Sequence, residues 1–264
     1  MKSKNLPITN RKIVSLVAGN GEVGGSLYRI LLWKKNHQVY MIDKEEEVDI
    51  KKIDVLHICF PYSKKFHQQV EEYKNKYNPK FTVIHSTVPI GTSIGLTAFH
   101  SPLRGVHPVL DKSLWTFKKY LAPKSTWLKK YFEEAGIEII ETDNPNDTEA
   151  GKLWSTTQYG WSVILEKLMY KFCEENGLDF NVVYKSFNES YNDGYSKMGM
   201  KHVRRPVLHH SEGEIGGHCV IPNLELFNSP INEFIKVQNN RLKVRKVRST
   251  SSKGKRGRDW RIRS

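Results

Sequence analysis

The sequence predicts an α/β chain in which a compact parallel sheet comes first and a mainly helical domain follows. Three features predict this. Up to about residue 95, short apolar runs of strand length alternate with longer segments whose apolar residues recur at helical spacing. Such alternation buries a parallel sheet between layers of helix. Glycines at 19, 21 and 24 stand where the first run gives way to the first helical segment. From Thr148 onward the spacing is helical and strand-like runs stop.

Taken in order, Ile13–Ala18 reads as a buried strand. Glu22–Lys35 follows as a helix, with Val23, Leu27, Ile30 and Leu31 on one face. Gln38–Ile42 is a second strand that ends at Asp43, and Asp54–Phe60 a third that Pro61 stops. Asp43 and Asp54 are only eleven residues apart, too few for another helix and strand, so the sheet is a trimmed one. Lys64–Tyr77 reads as a helix, Phe81–His85 as a strand, and the segment from Ser86 as a turn into a short helix. Right-handed crossovers fix the handedness of each unit. Phe99–Pro108 is a loop, Thr126–Gly136 a helix and Ile137–Ile140 a short strand. A long helix spans Thr148–Asn176, with Asp147 or Thr148 as its cap and Gly177 as its stop. Asp179–Ser190 is a further helix and 206–231 a loop. The domains so defined are 1–145, 146–235 and a basic tail, 236–264. The long helix, partly apolar, offers a surface for a homodimer.

Bulk properties narrow the class. A hydrophobic content of 38% with 11% aromatic residues supports a packed core. No stretch is long and apolar enough to span a bilayer, so no membrane partner is expected. The early apolar run leads into glycines rather than a cleavage pattern, and a cytoplasmic protein is expected. Cys59, Cys173 and Cys219 are odd in number and widely spaced, which fits neither a disulfide framework nor a metal site. The net charge is +14, and residues 236–264 carry +11 of it, with Asp259 as the single acid among them. Composition predicts disorder beyond about Lys243. Such a tail can meet nucleic acid or an acidic partner by charge alone. Trp260 is its single aromatic residue, so base stacking is not expected there.

Gly19-Asn20-Gly21-Glu22-Val23-Gly24 fits G-x-G-x-x-G between a strand and a helix, the context in which that pattern binds a dinucleotide. The first glycine permits the turn, the second lets the backbone approach a pyrophosphate, and the third lets helix and strand pack closely. The helix N-terminus then meets the phosphates. Asp43, at the end of the second strand, suits the ribose hydroxyls of NAD and would repel the 2′-phosphate of NADP. Asp43 also opens an acidic solvated run, and Lys44 beside it leaves NADP as the other reading. Phe60, Pro61, Ser86 and Thr87 fall at carboxyl ends of strands, near the cofactor. A Rossmann-type domain follows from these features together.

With these segments in order, the sequence resembles the UDP-glucose/GDP-mannose dehydrogenase family over about residues 12–230. The glycine fingerprint is one carrier. His85-Ser86-Thr87-Val88-Pro89-Ile90-Gly91-Thr92 is close to the family's S-T-V-P-x-G-T. Glu149-Ala150-Gly151-Lys152 is like its E-x-x-K-x-x-x-N, and Ser101-Pro102-Leu103-Arg104 is like its S-P-E-R. The most specific carrier is Gly216-Gly217-His218-Cys219-Val220-Ile221-Pro222, like G-G-H-C-x-P in the aminosugar branch. The resemblance implies NAD-dependent oxidation of an alcohol on a sugar nucleotide or a related sugar. Cys219 would carry the acyl group through a thiohemiacetal and a thioester. Lys152 would stabilise the oxyanion, and Thr87 would position substrate or water.

Each of these residues also has a plainer reading. Cys219 fits as a small buried filler, Lys152 as a solvated residue near a helix start, and Thr87 as a helix cap. The departures from the family are specific. Thr156 stands where the family has Asn, Asn223 where it has Asp, and Leu103 where it has Glu. An amide cannot serve as a general base for thioester hydrolysis. Family members continue into a further nucleotide-gripping domain after the cysteine loop, whereas this chain continues into its basic segment. A smaller substrate, a second subunit completing the site, or an incomplete cycle would each account for that. Two other classes stay open: a single-hydride dehydrogenase of a small hydroxy acid or sugar acid, and a non-catalytic scaffold with a partner-binding tail.

Overall fold

The computed structural model describes residues 12–44, 46–50, 52–105, 110–216 and 219–251. Strands β1 (Ile13–Ala18), β2 (His37–Ile42), β3 (Val55–Ile58), β4 (Phe81–Ile84) and β5 (Phe99–His100) form one sheet in the order β2-β1-β3-β4-β5. Every pairing in it is parallel. Helix α1 (Glu22–Leu32) follows β1, α2 (Phe66–Tyr77) follows β3, and the one-turn α3 (Thr92–Gly95) follows β4. No helix lies between β2 and β3 among the described residues, as the short spacing from Asp43 to Asp54 requires.

Side chains alternate across the sheet and give it two buried faces. Leu16, Ala18, Leu56, Ile58 and Ile84 pack with Phe66, Val70 and Tyr77 of α2. Val17, Val55 and Val83 face the other way. They pack with Leu27, Ile30 and Leu31 of α1 and with Leu128, Tyr131 and Phe132 of α5 (Thr126–Glu133). Ser125 caps α5 by accepting the Leu128 N–H at 3.3 Å.

Between β5 and α5 the chain forms α4 (Leu110–Thr116) and β6 (Lys119–Leu121), which spacing alone does not reveal because both are so short. β6 pairs in parallel with β7 (Ile139–Glu141), and an antiparallel bridge joins His100 to Ala122. The segment expected to be a loop from Phe99 thus opens as the edge strand β5, and 106–109 lie outside the described residues.

Helix α6 runs over 32 residues, Pro145–Asn176. It starts earlier than expected because Asn144, not Asp147 or Thr148, is its cap: the Asn144 side chain accepts the Asn146 N–H at 3.0 Å. Pro145 then occupies the first helical position, where its missing N–H costs nothing. Gly177, at φ +62°, ends the helix as expected. The following helix divides into a π-helical segment, Asn181–Ser186, and α7 (Phe187–Lys197). The 206–231 region contains the short α8 (Val220–Leu224), and α9 (Pro230–Ser251) closes the described chain.

The chain divides into two compact units, Met1–Leu153 and Trp154–Ser264, with the division inside α6. The second unit has a small core of Ile164, Ile215, Val220, Leu224 and Ile235, against which Leu242 packs. That packing corrects the expected start of the basic tail. Residues 236–251 continue α9, and Asn239 is buried at 3% exposure. Asn239 and Leu242 continue the helical spacing of Ile231 and Ile235 into the charge run, which hides them in a reading by composition. No described helix is long and apolar enough to cross a membrane.

Candidate active site

The glycine fingerprint performs three different tasks. Gly19 has φ +106°, a left-handed conformation, and a Cβ there would lie 2.9 Å from the Phe60 nitrogen. At Gly24 a Cβ would fall 1.8 Å from the Gly19 carbonyl oxygen, so α1 can approach β1 this closely only without a side chain. Gly21, the residue before α1, is extended, and a Cβ on it would meet nothing within 4 Å. The turn therefore has open space beside the Gly21 backbone, and the N-terminus of α1 begins at Glu22. Asn20 and Glu22 are exposed and Val23 is half-buried.

Asp43 is exposed immediately after β2, and its N–H donates to the Glu46 carboxylate at 2.9 Å. Two carboxylates thus stand together at this strand end. Ser86 Oγ donates to the Phe60 carbonyl at 2.6 Å and ties the end of β4 to the end of β3. Thr87 is half-buried and Pro61 exposed. Thr87 does not cap the following helix, because the N-cap of α3 is Gly91. These strand-end residues and the glycine turn share one edge of the parallel sheet, the carboxyl edge.

A chain of polar side chains lies beneath that edge, on the α5 face. His85 Nδ1 is 2.8 Å from the Ser101 carbonyl, which can only accept, so Nδ1 carries the proton. His57 Nδ1 then donates to His85 Nε2 at 2.9 Å, and the Tyr131 hydroxyl donates to His57 Nε2 at 2.9 Å. Ser15 Oγ donates to Tyr131 at 2.9 Å and receives from His37 Nε2 at 2.8 Å. Burial holds His57 and His85 well below the usual imidazole pKa, and Lys119 adds repulsion. Burial likewise lowers His100 to about 3 and His37 to about 4, and raises the Tyr131 hydroxyl. Lys119 is buried and donates to the Ser101 and Pro102 carbonyls, and burial pushes its ammonium pKa well down.

Lys152 is half-buried on α6 and Thr156 follows it four residues later, buried. Leu103 is buried in the apolar cluster of the α1 and α5 face. Cys219 and Asn223 belong to the second unit. Cys219 is the exposed thiol of the three. Cys173 and Cys59 are buried, and burial raises the Cys59 thiol to about 12. Cys219 is thus no buried filler. Asn223 lies one turn further along α8, its N–H donating to the Cys219 carbonyl at 3.3 Å. Gly217 and His218 lie outside the described residues. The second unit also carries a groove of about 450 Å³ along Tyr170, Cys173, Tyr184 and His210.

Sequence reading gave Glu149 a place in a motif but no contact, and it passed over the buried histidines. Glu149 is fully buried and accepts the Gly91 and Ser93 N–H groups at 2.7 and 2.8 Å. A signal for the histidines was present: His57, His85 and His100 each interrupt an otherwise apolar strand or follow it directly.

No protein-family model matches the sequence, and no curated protein is significantly similar to it. Solved structures are similar in fold. UDP-D-ManNAc dehydrogenase from Pyrococcus horikoshii aligns with a TM-score of 0.68 at 14% identity, over 87% of this chain and 69% of that one. UDP-N-acetyl-mannosamine dehydrogenase from Staphylococcus aureus aligns at 0.63 and 16%, over 90% and 70%. Mycobacterium tuberculosis 3-hydroxyisobutyrate dehydrogenase aligns at 0.62 and 12%, over 88% of this chain and 94% of that one. The class these likenesses define is a fold: a Rossmann-type parallel sheet followed by a mainly helical region.

Proposed function

We propose that this chain is an NAD-dependent oxidoreductase acting on a CH–OH group. The observation that carries the reading is the glycine turn: Gly24 is closed by the Gly19 carbonyl while Gly21 faces open space. A turn built only for packing has no use for the second of these. NAD would be held by the backbone from Gly19 to Gly24, by Asp43, and by the strand ends at Phe60, Pro61, Ser86 and Thr87. When bound it supplies the hydride acceptor. The likeness in fold to dehydrogenases of sugar nucleotides and of a hydroxy acid supports this reading.

The finer assignment is oxidation of a sugar nucleotide or related sugar alcohol. Lys152 and Thr87 orient the hydroxyl and stabilise charge on its oxygen. Oxidation of the alcohol would pass one hydride to a first NAD and the hydroxyl proton to solvent, giving an aldehyde. The Cys219 thiolate would add to its carbon with uptake of a proton, giving a thiohemiacetal. The second hydride would pass to a second NAD as that proton leaves, giving a thioester, and water would then release the carboxylic acid and restore the thiol. Thr156 and Asn223 would flank this chemistry, and Asn223 brings no carboxylate to activate the water. Cys219→Ser should therefore stop the reaction after one oxidation while cofactor binding survives. Intact-protein mass spectrometry should find an acyl adduct on the wild type alone. Asn223→Asp should speed turnover.

A second reading has its own support. The chain aligns with 94% of the hydroxyisobutyrate dehydrogenase and with about 70% of the sugar-nucleotide enzymes. In that reading one hydride is transferred, Lys152 is the central polar residue and Cys219 is idle. Wild-type turnover by Cys219→Ser, with no adduct, selects it. The exposed Trp161, Leu165 and Phe172 on α6 support a homodimer through the helical region. Leu165→Lys with Phe172→Lys should then lower the mass seen by sedimentation.

A further inference from the structure

We infer that Glu149 is a positioning residue that locks the Ser86–Thr92 loop to the first turns of α6. The inference rests on the oxidoreductase reading for its consequence and on geometry for the lock itself. Glu149 is 0% exposed. One carboxylate oxygen accepts the Gly91 N–H at 2.7 Å and the other accepts the Ser93 N–H at 2.8 Å. Gly91 has φ +94°, a conformation that side chains disfavour, and a Cβ there would meet nothing within 4 Å. The glycine is therefore required by backbone shape, and that shape presents its N–H to the carboxylate. Thr92 Oγ1 donates to the Pro89 carbonyl at 2.7 Å and tightens the same turn.

A carboxylate taken wholly out of water is costly unless hydrogen bonds replace its hydration. Here two backbone donors replace part of it, and bonds to an ionised acceptor are about twice as strong as neutral ones. An apolar residue would fill the position more cheaply if filling were all that mattered. The two bonds instead join two segments that each carry a proposed site residue. Thr87 precedes the turn, and Lys152 lies three residues after Glu149, one helical turn along. A second tie runs in parallel: the neighbouring Thr148 hydroxyl is 2.7 Å from His100 Nδ1, and His100 Nε2 is 3.4 Å from the Ser86 carbonyl. Thr148 and Glu149 thus fasten the start of α6 to both ends of the loop. The lock sets where the Thr87 hydroxyl and the Lys152 ammonium stand relative to each other.

Glu149→Gln tests this with little change of shape, and Glu149→Ala serves as the harsher variant. In the Gln variant, amide hydrogen exchange at Gly91 and Ser93 should speed at least tenfold while the β1 and β3 amides stay protected. NADH affinity, read by fluorescence titration, should stay within twofold. With an alcohol that the wild type oxidises, kcat should fall at least tenfold and KM should change less than threefold. Wild-type exchange and kcat in Glu149→Gln would overturn the inference. So would a uniform loss of melting temperature, cofactor affinity and kcat, which marks a merely structural residue. If the wild type oxidises no alcohol, the oxidoreductase reading fails, and the lock then stands or falls on the exchange at Gly91 and Ser93.

Discussion

The first unit buries histidines among its strands, and the second buries asparagines among its helices. In the first, His57, His85 and His100 are buried among the strands and bond to one another, to Tyr131 and to backbone carbonyls. In the second, Asn232 receives the Thr157 hydroxyl at 2.9 Å and donates to the Leu224 and Phe227 carbonyls. Asn239 accepts the Ile215 N–H, and Asn192 both donates to and accepts from the Arg205 backbone. Either residue type can meet donors and acceptors at once. Imidazole, however, gains a proton near neutral pH and an amide does not. The same structural problem has thus been met in the first unit with histidines and in the second largely with amides, beside a buried Glu166 that pairs with His210 Nδ1 at 2.6 Å. The two units should respond differently to acid, and they differ again in how crowded their glycines are.

The largest expected effect is in the fingerprint. Gly24→Ala places a methyl 1.8 Å from the Gly19 carbonyl oxygen, so α1 must move off β1. Overpacking of this kind costs about 3 kcal/mol or more, and the first unit should lose both its cooperative thermal transition and its cofactor binding. Gly21→Ala should leave the melting temperature unchanged and weaken NADH binding alone. If Gly21→Ala binds NADH normally, the open position is not the pyrophosphate site.

Acid comes next. His57, His85 and His100 stay neutral in the folded first unit but take up protons near pH 6.5 when it unfolds. The unfolded chain binds more protons in that window, so stability is full above about pH 6.5 and falls as the pH drops through it. Each histidine can contribute up to about 1.4 kcal/mol per pH unit, levelling off only at its depressed folded pKa. Urea unfolding followed by hydrogen exchange at pH 7 and pH 5 should show β1, β3 and β4 losing several kcal/mol. If the two units weaken equally between these pH values, the histidine–asparagine contrast does not govern acid stability.

A smaller effect is expected at the amides. Asn239→Ala leaves the buried Ile215 N–H without its acceptor, and Asn232→Ala strips two carbonyls of a donor. Each should cost the second unit about 1–3 kcal/mol, equally at pH 5 and pH 7. The smallest effect concerns cofactor choice. Asp43→Ala should narrow the preference for NAD over NADP by about tenfold without altering stability, since Asp43 is exposed. Tighter NADP binding by the wild type would overturn the assignment.

Much of the first unit was readable in the sequence because its signals are local. Apolar runs of period two, the three glycines and the short interval from Asp43 to Asp54 fixed the strands and the missing strand–helix unit. β6 and α4 escaped because three and seven residues carry too little periodicity. The first turn of α6 was misplaced because Asp147 and Thr148 are both good caps in isolation, while the cap used is Asn144 ahead of a proline. Asn181–Ser186 was read as ordinary helix because a π segment leaves no separate signature in spacing. α9 was not read as a helix because its buried Asn239 and half-buried Leu242 lie among cations. In the candidate site, glycines and strand ends were legible as motif positions. Glu149 was quoted as part of a motif, but its bonds to Gly91 and Ser93 depend on a contact more than fifty residues away in sequence.

The hydrogen-bond chain from Ser15 through Tyr131, His57 and His85 to the Ser101 carbonyl runs in one direction, because its last acceptor can never donate. Removing any one member leaves the group before it with an unpaired proton and the group after it with an unpaired lone pair, both buried. Descent through single substitutions must therefore cross ancestors less stable than either endpoint, and the effects of such changes will not add. These positions behave as one heritable character spread over four separate stretches of chain. Among relatives that share this sheet, Ser15, His57, His85 and Tyr131 should be kept together or lost together, and a lineage that keeps half of them should be rare.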